Sequence, residues 1–134
     1  PKLTTEFRSE RCNHCSNATC VTLCPTGASH YWAGTNIVLV DPDMCTGCKA
    51  CIAACPYDAR LVMHPDGYID KCTFCHHRVE RGLDPACVSS CPTRCMHFGS
   101  LDDPESEVSR LLRTRKYKVL KPETGNVPNV YYLI

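Results

Sequence analysis

The chain has 134 residues, enough for one domain or two very small ones, and 13 of them are cysteine. Fifteen basic and fourteen acidic residues give a formal charge of +1, and no basic block points to nucleic acid. No apolar run approaches the roughly 20 residues needed to cross a membrane. With the cysteines set aside, about a third of the chain is left for ordinary apolar packing. A protein-only core is therefore thin, and something else must hold the fold.

In chain order, residues 1–11 read as extended and polar. The chain starts at Pro1 without a Met, a signal peptide or a twin arginine, and reads as a processed or partial piece. A first cysteine group follows, Cys12-x2-Cys15-x4-Cys20-x3-Cys24-Pro25. A short helix is expected at Pro25, ending near Gly27. His30–Trp32 and Ile37–Val40 then read as two strands joined by a turn at 33–36. The second group is Cys45-x2-Cys48-x2-Cys51-x3-Cys55-Pro56. A helix opened by Pro56 and a second hairpin are expected after it, with Leu61–Met63 and Tyr68–Ile69 as strands and Asp66-Gly67 in the turn. The third group is Cys72-x2-Cys75-x11-Cys87-x3-Cys91-Pro92, and Cys95 stands alone. Pro104, preceded by Asp102 and Asp103, marks a helix start. Val108, Leu111 and Leu112 form its apolar stripe, and Arg110, Arg113, Arg115 and Lys116 enrich its end, where they suit the helix dipole. The apolar terminus Val130–Ile134 is read as an arm laid along a partner, against the plainer reading that it packs back on its own chain.

Each group ends in x3-Cys-Pro, and the endings recur after 31 and 36 residues. That is an internal repeat. The second group matches the bacterial ferredoxin run C-x2-C-x2-C-x3-C-P. Three close-spaced thiolates on one loop can cap three corners of a four-iron cube, and the fourth cysteine reaches the neighbouring cube. Groups therefore work in pairs. Pairing the first two gives one site from Cys12, Cys15, Cys20 and Cys55, and another from Cys45, Cys48, Cys51 and Cys24. Cys72, Cys75 and Cys87 can hold three corners of a further cube, and Cys91 should serve a fourth. The group that completes them is expected upstream of Pro1 or on a partner chain. Two oxidised cubes carry about −2 each and would take the chain to about −3.

Other readings explain less. Thirteen cysteines are an odd number, and C-x2-C pairs make poor crosslinks in a disulfide scaffold. A zinc ribbon from Cys45, Cys48, Cys72 and Cys75 leaves Cys51, Cys55 and the Cys-Pro units unused. Cys72-Thr73-Phe74-Cys75-His76 matches a c-type haem attachment pattern, but Cys87 and Cys91-Pro92 continue it as a cluster motif. His14 is read as a loop residue able to donate to a cluster sulfur, Lys49 as a solvated lysine or a charge that tunes a cube, and Cys95 as a small buried filler. His76 and His77 are read as surface residues near a cluster.

Cys12–Ala28, the Cys51–Ala59 run, Lys71–Cys75, Cys91-Pro92-Thr93, Phe98-Gly99 and Leu101–Ser106 together resemble the iron–sulfur subunits of complex iron–sulfur molybdoenzymes. The likeness is to the polysulfide reductase and cytochrome-linked nitrite reductase type. The iron–sulfur part of alternative complex III, a quinol-oxidising respiratory complex, is related. The resemblance implies an α+β, ferredoxin-like tandem polyferredoxin, with short helices and small antiparallel sheets around [4Fe-4S] clusters. Two clusters would be closed by this chain and three to four with the missing group, one of them open to being [3Fe-4S]. The units are placed at 1–66, 67–100 and 101–134. The implied role is one-electron relay between a molybdopterin-type catalytic subunit and a quinone-reactive integral membrane subunit. The implied location is peripheral, on the periplasmic face of a membrane. No phosphate-binding loop, nucleophile–base pair or acid pair is present, so no catalytic site of its own is expected. A reductase domain that meets substrate directly and a structural zinc protein are the rival classes.

Overall fold

A computed structural model describes residues 2–134. The elements are short: α1 (Thr19–Thr22), β1 (Ser29–Tyr31), β2 (Val38–Val40), α2 (Ala50–Ala54), β3 (Leu61–Val62), β4 (Ile69–Asp70), α3 (His76–Val79), α4 (Ala86–Ser89), α5 (Glu107–Thr114), β5 (Tyr117–Lys118) and β6 (Tyr132–Leu133). The strands form three separate antiparallel pairs, β1 with β2, β3 with β4 and β5 with β6. Both expected hairpins are present within a residue of their expected bounds. Ser29 pairs with Val40 and Leu61 with Asp70, and Met63 N–H donates to Tyr68 C=O at 2.8 Å to extend the second.

The expected helices at Pro25 and Pro56 do not form. In each group the helix lies before the fourth cysteine, between it and the third. An x3 spacing is one helical turn, so the third cysteine lies inside α1, α2 or α4 and the fourth at or just past its C-cap. The last turn closes the same way three times: Cys24, Cys55 and Cys91 each donate N–H to the carbonyl three residues back, at 3.3 Å. Proline follows because it cannot continue a helix. It then takes the second position of a turn whose fourth residue donates to the cysteine carbonyl, from Gly27 at 3.4 Å, Asp58 at 3.5 Å and Arg94 at 3.2 Å. All three of those residues have positive φ, at 72°, 52° and 50°.

The x2 loops repeat as closely. The residue before the second cysteine has positive φ in each group: His14 at 43°, Gly47 at 69° and Phe74 at 52°. At Gly47 the reason is steric as well, because a Cβ there would lie 2.6 Å from Gly67 O.

Helix α5 starts three residues later than expected. Pro104 and Glu105 lie in a turn, with Glu105 N–H on Asp103 Oδ1 at 2.9 Å. Ser106 is the N-cap, its side chain accepting from Ser109 N at 3.1 Å. The stripe Val108, Leu111 and Leu112 is half-buried, and Arg110 and Arg113 are exposed, as expected.

The C-terminal segment does not extend away from the body. Tyr117 pairs with Leu133 and Lys118 with Tyr132. Between those strands the chain crosses the first cysteine loop. Ser16 N–H donates to Val127 O at 2.8 Å, Asn17 N–H to Asn126 O at 3.0 Å and Asn129 N–H to Asn13 O at 2.9 Å. Asn126 Oδ1 accepts from Thr19 N at 3.0 Å and Thr19 Oγ1 at 2.8 Å, and Asn129 Nδ2 donates to His14 O at 2.7 Å. This strap satisfies donors at the first turn of α1 that the helix leaves open.

The apolar core is small, as composition requires. Ala18, Val38 and Cys15 are buried together, with Val21, Tyr31 and Tyr57 against them. Asn126 itself is buried, and Asn126→Ala should cost about 0.5–1.5 kcal/mol for each of its two hydrogen bonds from the exposed Thr19. Anaerobic denaturant titration of the full protein, followed by cluster absorbance, should show release at lower denaturant.

Candidate iron–sulfur centres

Two cavities lie side by side in the first half of the fold. One is lined by Cys24, Cys45, Cys48 and Cys51. The other is lined by Cys12, Cys15, Cys20 and Cys55. These are the two quartets expected from crossed pairing. The crossing follows from the local geometry: α1 and α2 pack together, and each delivers its third cysteine to one cavity and its fourth to the other.

None of the 13 cysteines forms a disulfide. Among the described residues, no three Cys, His, Asp or Glu side chains converge on a point that a single ion could occupy. The donor set is four sulfurs spread around a space larger than an ion. That suits a cube with thiolates at its corners better than a tetrahedral zinc.

Donors are already aimed at these sulfurs. Ser29 N–H donates to Cys24 Sγ at 3.4 Å, Ile69 N–H to Cys45 Sγ at 3.4 Å and His14 N–H to Cys12 Sγ at 3.5 Å. Such bonds favour the thiolate and tune a cluster's potential. Desolvation acts the other way on the buried side. Burial pushes the Cys12 thiol up and carries Cys15 to about 11. Thiols in this environment need a metal to hold them deprotonated.

Two basic side chains are buried here, and one of them, Arg60, lines both cavities. It is 5% exposed. Its Nη2 donates to Cys20 Sγ at 3.0 Å and Ser29 Oγ at 2.7 Å. Lys71 is also buried, its Nζ donating to Val38 O and, at 2.9 Å, to Cys72 O. Neither stands out in the sequence, where they are two of fifteen basic residues. The only signal is position: Arg60 directly follows the Cys51–Ala59 run, and Lys71 adjoins Cys72. Lys49, conspicuous inside the second group, is exposed and serves as the left-handed N-cap of α2 at φ 64°.

His14 is a loop residue that donates to Cys12 Sγ, as expected, but through its backbone N–H; its ring Nδ1 instead accepts from Val38 N at 3.0 Å. The ring is buried, and burial pushes its pKa down to about 2, so it is neutral. It stacks on Phe74 with centroids 3.7 Å apart. The two rings occupy the same position in the first and third groups, so the stack joins the closed pair of sites to the third group.

The third group is open. Cys87 is exposed, with Arg11 Nη1 on its Sγ at 3.3 Å. Cys72 and Cys75 lie half-buried near the His14–Phe74 stack, and none of the three lines either cavity. Cys95 is not a buried filler. It is exposed, its Sγ 3.6 Å from Cys91 Sγ, with Thr93 Oγ1 donating to it at 3.2 Å. Hydrogen bonds from Thr93 and Cys95 hold the Cys91 thiol low, at about 6. His76 is half-buried beside Trp32, and His77 is exposed.

Among the described residues, no helix is long and apolar enough to cross a membrane. Residues 3–101 match the family model of the 4Fe-4S dicluster domain. The chain is 46% identical to Protein NrfC of Escherichia coli (strain K12) over 132 residues, covering 98% of this chain and 59% of that protein. It is 48% identical to a tetrathionate reductase subunit of Salmonella typhimurium over 124 residues, covering 91% of this chain and 49% of that one. Identity to the arsenate respiratory reductase iron-sulfur subunit ArrB of Shewanella sp. is 35% over 170 residues, covering 91% and 72%. The chain thus spans from about half to nearly three quarters of the length of these relatives. Matching donor sets, fold and family model together make the cofactors [4Fe-4S] clusters, and the chain belongs to the 4Fe-4S dicluster domain family.

Proposed function

We propose that this chain is the electron-relay part of a membrane-associated oxidoreductase. In this reading, Cys12, Cys15, Cys20 and Cys55 ligate one cube, and Cys24, Cys45, Cys48 and Cys51 a second. Cys72, Cys75, Cys87 and Cys91 serve the further cubes, together with a cysteine group outside this chain. The observation that carries it is the pair of adjacent cavities, each lined by four cysteines drawn from two groups.

A cube supplies one-electron exchange with little change of shape. The protein's part is to hold it, exclude water and set its potential. Cysteine backbones locked by the repeated turns fix the corners. Ser29 N–H, Ile69 N–H and Arg60 supply positive ends at the sulfurs. The thiolates are consumed as ligands, which leaves none for substrate chemistry.

The relatives include subunits named for tetrathionate and arsenate reductases. That supports a catalytic reductase subunit as partner. In this reading that subunit is of the molybdopterin type, a quinone-reactive membrane subunit lies on the other side, and the assembly sits on the periplasmic face. Electrons would pass singly through the chain, their direction set by those partners.

Two experiments test this reading. The full natural polypeptide, purified anaerobically in its complex, should hold at least about eight irons and eight sulfides in this part, and about sixteen of each if a further group completes four cubes. Zinc without sulfide would overturn it. Crossed ligation makes a sharper demand. Cys12→Ala and Cys55→Ala should abolish the same reduced-cluster paramagnetic signal, while Cys45→Ala and Cys24→Ala abolish a different one. Loss of one signal by Cys12→Ala and Cys24→Ala together would refute the crossing.

A further inference from the structure

Arg60 carries a charge in a place where charge is costly. Moving an ion of this kind into a protein interior costs several kcal/mol unless it finds a counter-charge. The side chain is 5% exposed. Among the described residues no carboxylate forms an ion pair with it. Its neutral partner is Ser29 Oγ, and Nη1 is buried with no hydrogen-bond partner. The remaining contact is Cys20 Sγ at 3.0 Å.

The cavities resolve this. Arg60 lines both of them. Nη2 bonds a sulfur of one quartet, and the same guanidinium borders the cavity of the other beside Cys51. A fork with five donors in one plane can face two anions in a fixed geometry, whereas an ammonium is a compact point charge.

We propose that Arg60 is the shared counter-ion of the two cubes and sets both of their potentials from the wall between them. This rests on the ligation proposed above. Each cube gains one negative charge on reduction. A fixed positive charge at the wall favours the more negative state of either one, so Arg60 raises both potentials. The effect is unequal: the cube of Cys20 gains a charge-assisted hydrogen bond as well as the field.

The test is a potentiometric titration of the full polypeptide in its complex, poised with dithionite and mediators and followed by paramagnetic resonance. Iron and sulfide are counted on every sample, so failure of the ligation itself is seen separately from failure of this proposal. In Arg60→Met, which keeps length without charge, two reduction waves should fall. The wave of the Cys20 cube should fall by tenfold or more in its one-electron equilibrium, about 59 mV, and the other by less. Waves from any further cubes should stay in place. Full iron with both potentials unmoved would overturn the proposal and leave Arg60 a packing residue. If Arg60→Met sheds iron, Arg60→Gln decides. It keeps hydrogen-bond donors without the charge, so both potentials should still fall. Full iron with both potentials unmoved would likewise overturn it.

Discussion

Thiolates gathered around a small cavity repel one another, and this chain holds two such sets next to each other. Everything near them serves that electrostatic problem. Short helices turn their third and fourth cysteines toward different cavities. Backbone N–H groups of Ser29, Ile69 and His14 point at sulfur. Arg60 and Lys71 are buried without carboxylate partners among the described residues, an arrangement that is favourable only where anions lie close by. The apolar residues fill what space remains, and there are few of them.

The repeat is economical in a physical sense. One backbone path, a helical turn followed by Cys-Pro and a turn ending in positive φ, occurs three times with hydrogen bonds that agree within a few tenths of an ångström. Side chains then specialise each copy. The x2 loop position is filled by His14, Gly47 and Phe74 in turn. His14 and Phe74 stack to join two groups, while Gly47 lets the hairpin of β3 and β4 approach its loop.

What is legible in the sequence is what periodic spacing encodes. The Cys-Pro repeat gives the pairing of groups, and the turn residues of 33–36 and 64–67 give both hairpins. Helix position is ambiguous because proline suits both the start of a helix and the residue after its end. The x3 spacing, one turn long, is the better guide. Ser106 rather than Pro104 begins α5 because a hydroxyl can cap the free N–H groups and a ring cannot. The strap of Asn126 and Asn129 and the burial of Arg60 and Lys71 lie out of reach. Each depends on contacts between residues far apart in the chain, such as Asn126 with Thr19 and Arg60 with Cys20, and no local pattern marks those.

The small apolar core has a thermal consequence. The heat-capacity change of unfolding comes chiefly from newly hydrated apolar surface. Ala18, Ala28, Ile37, Val38 and Ile69, with two buried cysteines, offer little of it. The protein's own stability curve is accordingly shallow, varying slowly with temperature and lacking a sharp optimum.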